Sequence, residues 1–226
     1  MAMLEPPPHF GSFSRAQLLR IAAKLTEQAS PADYTLESLF LGQGKLTVIT
    51  GSNNTARSRY IIGMLSVLMH SGRKHEASSI WYFNRRWTDH EAMKALILNL
   101  TSLCMNTSKS PCNDDWIRAI EQIELSGLIY DNTIACVEDI CRKVHQAHRR
   151  KTGKLLVVDG LDYFQSCKTG PTLEAILPSM LNELKSLSRE MMLPVIASCQ
   201  SIASFADNVS LPSVDYLIQL QDNSDE

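Results

Sequence analysis

The sequence predicts an α/β domain, a mostly parallel sheet with helices on both faces. Three observations carry that expectation. Lys45–Met69 (KLTVITGSNNTARSRYIIGMLSVLM) runs as a short apolar segment, a turn at Thr50-Gly51 and a polar loop, then a mostly apolar stretch of helical length beginning near Ala56. Strand, glycine turn and helix in that order form the frame of a phosphate-binding loop, whose backbone N–H groups at the helix start attract an anion. Lys154–Asp162 (KLLVVDGLD) holds an apolar run without alternation that ends in Asp159, the mark of a strand covered on both faces and hence of a parallel sheet. Elsewhere, apolar runs of strand length alternate with stripes at helical spacing, which is the order of a doubly wound domain.

Taken in order, residues 1–13 carry prolines and read as a loose arm. Ser14, with Gln17 three residues on, opens a helix by a capping-box pattern, and Leu18, Ile21, Ala22 and Leu25 make its apolar stripe. After the phosphate-loop frame, Ser79–Phe83 is a second strand, left through Asn84-Arg85-Arg86-Trp87. Thr88 and Glu91 then cap a helix whose stripe is Met93, Leu96, Ile97, Leu100 and Leu103. Trp116, Ile117, Ile120 and Ile123 mark a short helix, and Leu128–Tyr130 a brief strand. Val137, Ile140, Cys141, Val144 and His148 mark the next helix, which ends in cations and is capped by Gly153. The helix from Pro171 to Glu190 contains Pro178 as a kink, Leu193–Cys199 is a buried strand ending at Gln200, and Tyr216–Leu220 is the last strand. This gives an N-terminal arm and linker-like helix over 1–30, one α/β domain over 31–221 and an acidic tail over 222–226.

Composition fits that plan. A chain of 226 residues makes one large domain that buries roughly 70–75% of its unfolded surface. The net charge of −2 and pI near 6.3 argue against a generally basic coat for nucleic acid, while leaving room for a local patch. The N-terminus, MAMLEPPPHF, lacks a secretory signal pattern, and the apolar runs fall short of the ~20 residues that span a bilayer. The irregularly spaced Cys104, Cys112, Cys136, Cys141, Cys167 and Cys199 then read as reduced thiols of a cytoplasmic protein, with no membrane partner.

The chemistry of the loop is altered within its frame. A working loop reads Gly, four residues, then Gly-Lys-Ser/Thr; here Gly51 and four residues, the last of them Thr55, are followed by Ala56-Arg57-Ser58. Arg57 is longer and planar where a compact lysine charge is usual, and the Ala56 β-carbon crowds the cradle. Ser58 is still suited to hold magnesium, together with Asp159 through water, but only along with a nucleotide. Arg57, Arg59, Arg85 and Arg86 fall near the carboxyl edge of the sheet, where this fold class binds ligands. They form either an anion site for a nucleotide, a phosphate or a nucleic-acid backbone, or a set of ion pairs with Asp159, Asp162 and Asp89 that rigidify a dead cleft. Cys136, Cys141, His145 and His148 invite a metal reading, but their spacing and the apolar stripe favour core packing, so no structural metal is expected. Arg149, Arg150 and Lys151 form either a nucleic-acid contact or a solvated helix end. Trp81 reads as core, and Trp87 as core or as a stacking surface.

Several stretches together resemble the RecA-like P-loop domain of DnaB-type replicative helicases: GKLTVITG, Asn113–Trp116, KLLVVDGLDYF, TLEAILPSMLNELKSLSREMMLPVIASCQ and VDYLIQL. The likeness covers roughly residues 36–220, without that family's separate N-terminal domain, and is most specific over the LPVIASCQ segment. It implies a RecA-like P-loop NTPase fold, with Asp159 as the Walker B aspartate and Gln200 as the γ-phosphate sensor. It also implies that the helix from Ser14 occupies the place of a linker helix that docks on a neighbouring subunit, making Leu18, Ile21 and Leu25 candidates for self-association. Covering the chain's own core is the alternative.

Against that family the engine is depleted. The catalytic glutamate after the second strand aligns with Arg85, with Arg86 beside it; losing such a base costs ~10²–10⁴ in rate. No lysine or arginine occurs from Ser201 to Glu226, where relatives carry an arginine finger worth ~10³–10⁵, and the stretch after Gln200 offers no cation to a phosphate backbone. The sequence therefore points to a degenerate, non-motor binding or assembly module of DNA replication, recombination or mobile-element maintenance, with a homo-oligomeric or helicase/recombination-type protein partner. Two alternatives stay open: a weak or partner-activated ATPase that holds Mg-ATP, and a protein-interaction scaffold like the degenerate RecA paralogues.

Overall fold

The computed structural model describes residues 43–71, 79–104, 111–148, 153–165, 173–200 and 213–220. Its strands are β1 (Leu46–Gly51), β2 (Ser79–Asn84), β3 (Ile129–Asp131), β4 (Gly153–Asp159), β5 (Val195–Gln200) and β6 (Tyr216–Gln219). The helices are α1 (Asn54–Ser71), α2 (Asp89–Cys104), α3 (Asn113–Leu125), α4 (Val137–His148) and α5 (Leu173–Met191). A single 3-10 turn, Leu161–Tyr163, follows β4. The sheet runs β3-β2-β4-β5-β1-β6, and every pairing is parallel.

Side-chain parity along the strands divides the core in two, because successive residues of a strand face opposite ways. Ile49, Ile80, Tyr82, Leu155, Val157 and Ile196 face α1, α2 and α3, where Ile62, Leu65, Met93, Leu96 and Ile120 meet them. Val48, Trp81, Phe83, Leu156, Val158 and Ala197 face α4 and α5, against Ile140, Val144, Leu177, Leu181 and Leu184. The unbroken apolar run of β4 thus feeds both layers at once, as a central parallel strand must.

Thr88 and Glu91 close the expected capping box. The Thr88 N–H donates to Glu91 Oε2 at 2.8 Å, and the Glu91 N–H to Thr88 Oγ1 at 3.3 Å. Hydrogen bonds from the Thr88 backbone and side chain hold the Glu91 carboxyl below the ordinary range. Thr88→Ala should remove about 1 kcal/mol of stability, read as a fall in Tm of about 2–4 °C for a domain of this size.

Several boundaries and faces differ from the sequence reading. Gly153 does not cap α4 but opens β4, pairing with Ser79, because the sheet ladder takes its backbone groups. Ile117 is exposed, since it lies one residue and so about 100° round the helix from buried Trp116. Leu103 is exposed at the carboxyl end of α2, where Leu100 and Cys104 cover the core instead. The arm and linker-like helix, with Leu18, Ile21 and Leu25, lie outside the described residues. Among the described residues no helix is long and apolar enough to cross a membrane.

Two carboxylates fasten sheet ends to helices. Asp131, closing β3, pairs with Lys143 of α4. At the opposite edge Asp215 pairs with Lys185 of α5 and accepts the Leu46 N–H at 2.7 Å. Lys185 Nζ also donates to the Gly44 carbonyl at 2.9 Å.

Candidate functional site

The candidate site lies at the carboxyl edge of the sheet, where β2, β4, β5 and β1 end side by side. Asn84 stands opposite Asp159, and Gly51 opposite Gln200. Ligands of open α/β folds bind at this edge.

The loop leaves β1 at Gly51, and an added Cβ there would come within 3.3 Å of Leu220 Cβ and 3.6 Å of Arg57 Cγ. The helix then starts at Asn54, two residues earlier than the apolar pattern implied. Asn53 supplies the reason: its Oδ1 accepts the N–H groups of Thr55 at 2.9 Å and Ala56 at 3.1 Å, as an N-cap asparagine does. Those are first-turn donors that a phosphate would otherwise take.

Arg57 turns inward. It is 1% exposed, and its guanidinium donates to the Gly51 carbonyl, to Asn54 Oδ1 and to Asp162 Oδ2. The ion pair with Asp162 satisfies the charge, which is the ion-pair alternative rather than the open anion site. Ser58, beside it, is buried.

Asp162 and Tyr163 reach the loop from the 3-10 turn. Asp162 Oδ1 accepts the Gln200 N–H at 2.6 Å, and the Tyr163 hydroxyl accepts from Asn54 Nδ2 at 2.6 Å. The turn depends on Gly160, at φ +80°, where a Cβ would stand 2.9 Å from Tyr163 Cδ2; few residues other than glycine adopt that backbone without strain.

Asp159 is sequestered. It is 1% exposed. Its Oδ2 accepts from Tyr82 Oη at 3.0 Å and Asn84 Nδ2 at 2.6 Å, and its Oδ1 accepts from Ser198 Oγ at 2.6 Å. Ser198 Oγ in turn accepts the Gly160 N–H at 2.8 Å. Burial, with the Asp159 charge adding to it, pushes the Tyr82 phenol well above its usual range, so it stays a donor. The Walker B aspartate implied by the resemblance thus accepts hydrogen bonds at both oxygens from neutral protein donors.

Asn84 carries that network to the arginines. Its Oδ1 accepts the N–H groups of Arg86 at 2.7 Å and Trp87 at 2.8 Å, which fixes the turn out of β2. The two arginines then diverge. Arg85 is exposed and donates to the Thr133 carbonyl at 3.2 Å, whereas Arg86 Nη2 donates to Thr55 Oγ1 at 2.7 Å. The alignment that set Arg85 over the loop is therefore corrected by one residue: the tight turn after Asn84 aims Arg86 there. Two guanidinium nitrogens near the loop, Arg57 Nε and Arg86 Nη1, are buried and without a hydrogen-bond partner.

Of the other expected sites, Gln200 is exposed at the end of β5, while Arg149, Arg150 and Lys151 lie outside the described residues. Cys136 Sγ donates to Glu138 Oε2 at 2.7 Å, burial raises the Cys141 thiol to about 12, and no metal-ligating cluster occurs among the described residues. Trp81 is core; Trp87 is partly buried against the core, and its carbonyl accepts from Tyr130 Oη at 2.8 Å. Sequence reasoning missed Asn53, Asn54, Asn84, Tyr82, Tyr163 and Ser198. Parity offered a signal for three of these, since Tyr82, Asn84, Asp159 and Ser198 fall on the same face as Ile80, Val157 and Ile196.

No family model and no curated protein matches the chain. Two solved structures are similar to it. One is a DnaB-like replicative helicase, described with its interactions with primase, at TM-score 0.58 and 15% identity over 76% of this chain and 42% of that one. The other is a separately solved ATPase domain, at TM-score 0.60 and 15% identity over 88% of this chain and 75% of that one. The chain therefore spans less than half the length of the helicase chain it resembles. At this identity the likeness is one of fold, and the chain is an α/β protein of the RecA-like P-loop NTPase fold.

Proposed function

We propose that the chain is a degenerate RecA-fold binding and assembly module, not a motor, serving DNA replication, recombination or mobile-element maintenance. One observation carries the reading: the groups that would bind a nucleotide's phosphates are spent on the protein itself. Asn53 caps the first-turn amides, and Arg57 is buried against Gly51, Asn54 and Asp162. Phosphoryl transfer depends on free cations and a free magnesium carboxylate held near the γ-phosphate. Asp159 instead accepts from three protein donors, and a cation, Arg86, faces the loop where an activating base would stand. The pathway rests on likeness of fold to replicative helicase and ATPase domains and is the associational part of the proposal.

Calorimetric titration of the full chain with ATP and a non-hydrolysable analogue, with and without magnesium, tests this. The expected result is no saturable binding up to about 1 mM, the range where affinity falls to about −4 kcal/mol. Saturable, magnesium-dependent binding would overturn it and leave the partner-activated ATPase in its place.

A further inference from the structure

We propose that the 3-10 turn Leu161–Tyr163 is a latch. Its Asp162 carboxylate acts as a built-in anion that keeps the phosphate loop shut, and its release uncovers a binding site for a phosphoanion. This rests on the reading of the loop as self-filled and extends it from a vacant engine to a closed one.

The geometry points to a carboxylate standing in for a ligand. Asp162 bridges a cation of the loop and a backbone N–H of the neighbouring strand end: Oδ2 receives the Arg57 guanidinium, and Oδ1 the Gln200 N–H at 2.6 Å. A helix amino end with an adjacent arginine and a strand-end amide is a set of donors suited to an oxyanion. Here the oxyanion is part of the chain, and tethering gives it a high effective concentration against any free competitor. Tyr163, on the same turn, adds a second fastening through Asn54 Nδ2 at 2.6 Å. One movement of the turn therefore frees both Arg57 and Asn54.

A second observation indicates unused capacity for an anion. Arg57 Nε and Arg86 Nη1 are buried N–H groups without a partner, and Arg86 is held at the loop through Thr55 Oγ1 at 2.7 Å. Buried donors on charged groups seldom stay unpaired at no cost. Asp162 satisfies part of this cationic set and leaves part of it unsatisfied. A phosphoanion offers more acceptor oxygens than one carboxylate and so fits the remainder.

The gate has a backbone basis. Gly160 holds φ +80° directly before the turn, with its N–H on Ser198 Oγ. The turn is thus anchored on the β4 and β5 side, while its far end touches the loop through side chains alone.

The test uses pyrophosphate as probe on the full chain, followed by calorimetry and by the shift in Tm. Asp162→Ala should bind pyrophosphate about 10- to 100-fold more tightly than the parent, the gain expected when a competent conformation rises from roughly 1–10% to the major one. Adding Arg57→Gln to Asp162→Ala should abolish the gain. Should Asp162→Ala fail to fold, Asp162→Asn keeps the shape and an acceptor for the Gln200 N–H while removing the charge, and should show a gain in the same direction. A folded Asp162 variant that binds no better than the parent overturns the latch, as does a gain that survives Arg57→Gln. Neither outcome touches the non-motor reading, which falls only if the parent itself binds magnesium nucleotide.

Discussion

Asp159→Ala should unfold more easily than the parent by about 3 kcal/mol, and that result would distinguish a structural carboxylate from a catalytic one. Three donors converge on the Asp159 oxygens from Tyr82, Asn84 and Ser198. Removing the carboxylate strands them in a buried environment, at about 1–3 kcal/mol for each donor that finds no substitute. Some repair is available, because Asn84 Nδ2 already lies 3.3 Å from Tyr82 Oη, so the sum stays below the full penalty. A carboxylate kept for magnesium behaves differently. It sits in a site maintained against stability, and its removal is commonly neutral or stabilising. Denaturant unfolding of parent and variant decides between the two. Loss of the network should also loosen the turn at Asn84 that sets Arg86, since the Asn84 side chain both donates to Asp159 and accepts from the Arg86 and Trp87 backbone. An unchanged midpoint would mean that the network is not structural.

That network also shows what sequence alone could and could not tell. The frame was legible because it depends on period and order. The apolar runs of β1, β4 and β5 and the stripes of α1, α2 and α5 arise from burial on one or both faces, and burial is written residue by residue. The altered chemistry was legible too, as Ala56-Arg57-Ser58 in place of a glycine, a lysine and a hydroxyl. The destinations of the side chains were not. Whether Arg57 reaches out toward a phosphate or back to Gly51 and Asp162 depends on where the turn after β4 falls, and that turn follows from the positive φ at Gly160, which has no periodicity to betray it. Arg85 and Arg86 were separable only through the Asn84 turn, since one residue of rotation decides which guanidinium meets Thr55. Asn53 was readable in principle, because asparagine before a helix is a preferred cap. A phosphate-loop template draws the eye to its glycines and lysine and away from such a cap.

At the far edge of the sheet a second carboxylate gives the other large effect, with a pH dependence of definite sign. Lys185 is nearly buried, its side chain 6% exposed against 17% for Asp215. The same carboxylate accepts the Leu46 N–H and lies 3.3 Å from Lys45, which is 47% exposed and adds little. Burial pushes the Asp215 carboxyl up, but hydrogen bonds from Lys185, Leu46 and Lys45 outweigh it and leave the group below the ordinary carboxylate range. Asp215→Asn removes the charge and leaves the Lys185 ammonium with only the Gly44 carbonyl. Breaking a buried pair from one side costs about 3–5 kcal/mol, and the lower end applies because Asp215 keeps some solvent. At about 3 kcal/mol the variant should melt roughly 6–12 °C lower at neutral pH. A carboxyl whose folded pKa is depressed contributes stability that is fully present above its unfolded value, about 3.9, and is lost as pH falls through the folded value. The gap between parent and Asp215→Asn should therefore hold from neutral pH down to about pH 5 and close progressively below pH 4. A gap that stays constant into acid would mean that the amide fails for reasons of shape. In that case α5 would be held to the start of β1 by packing and the Gly44 contact, with the ion pair contributing no net stability.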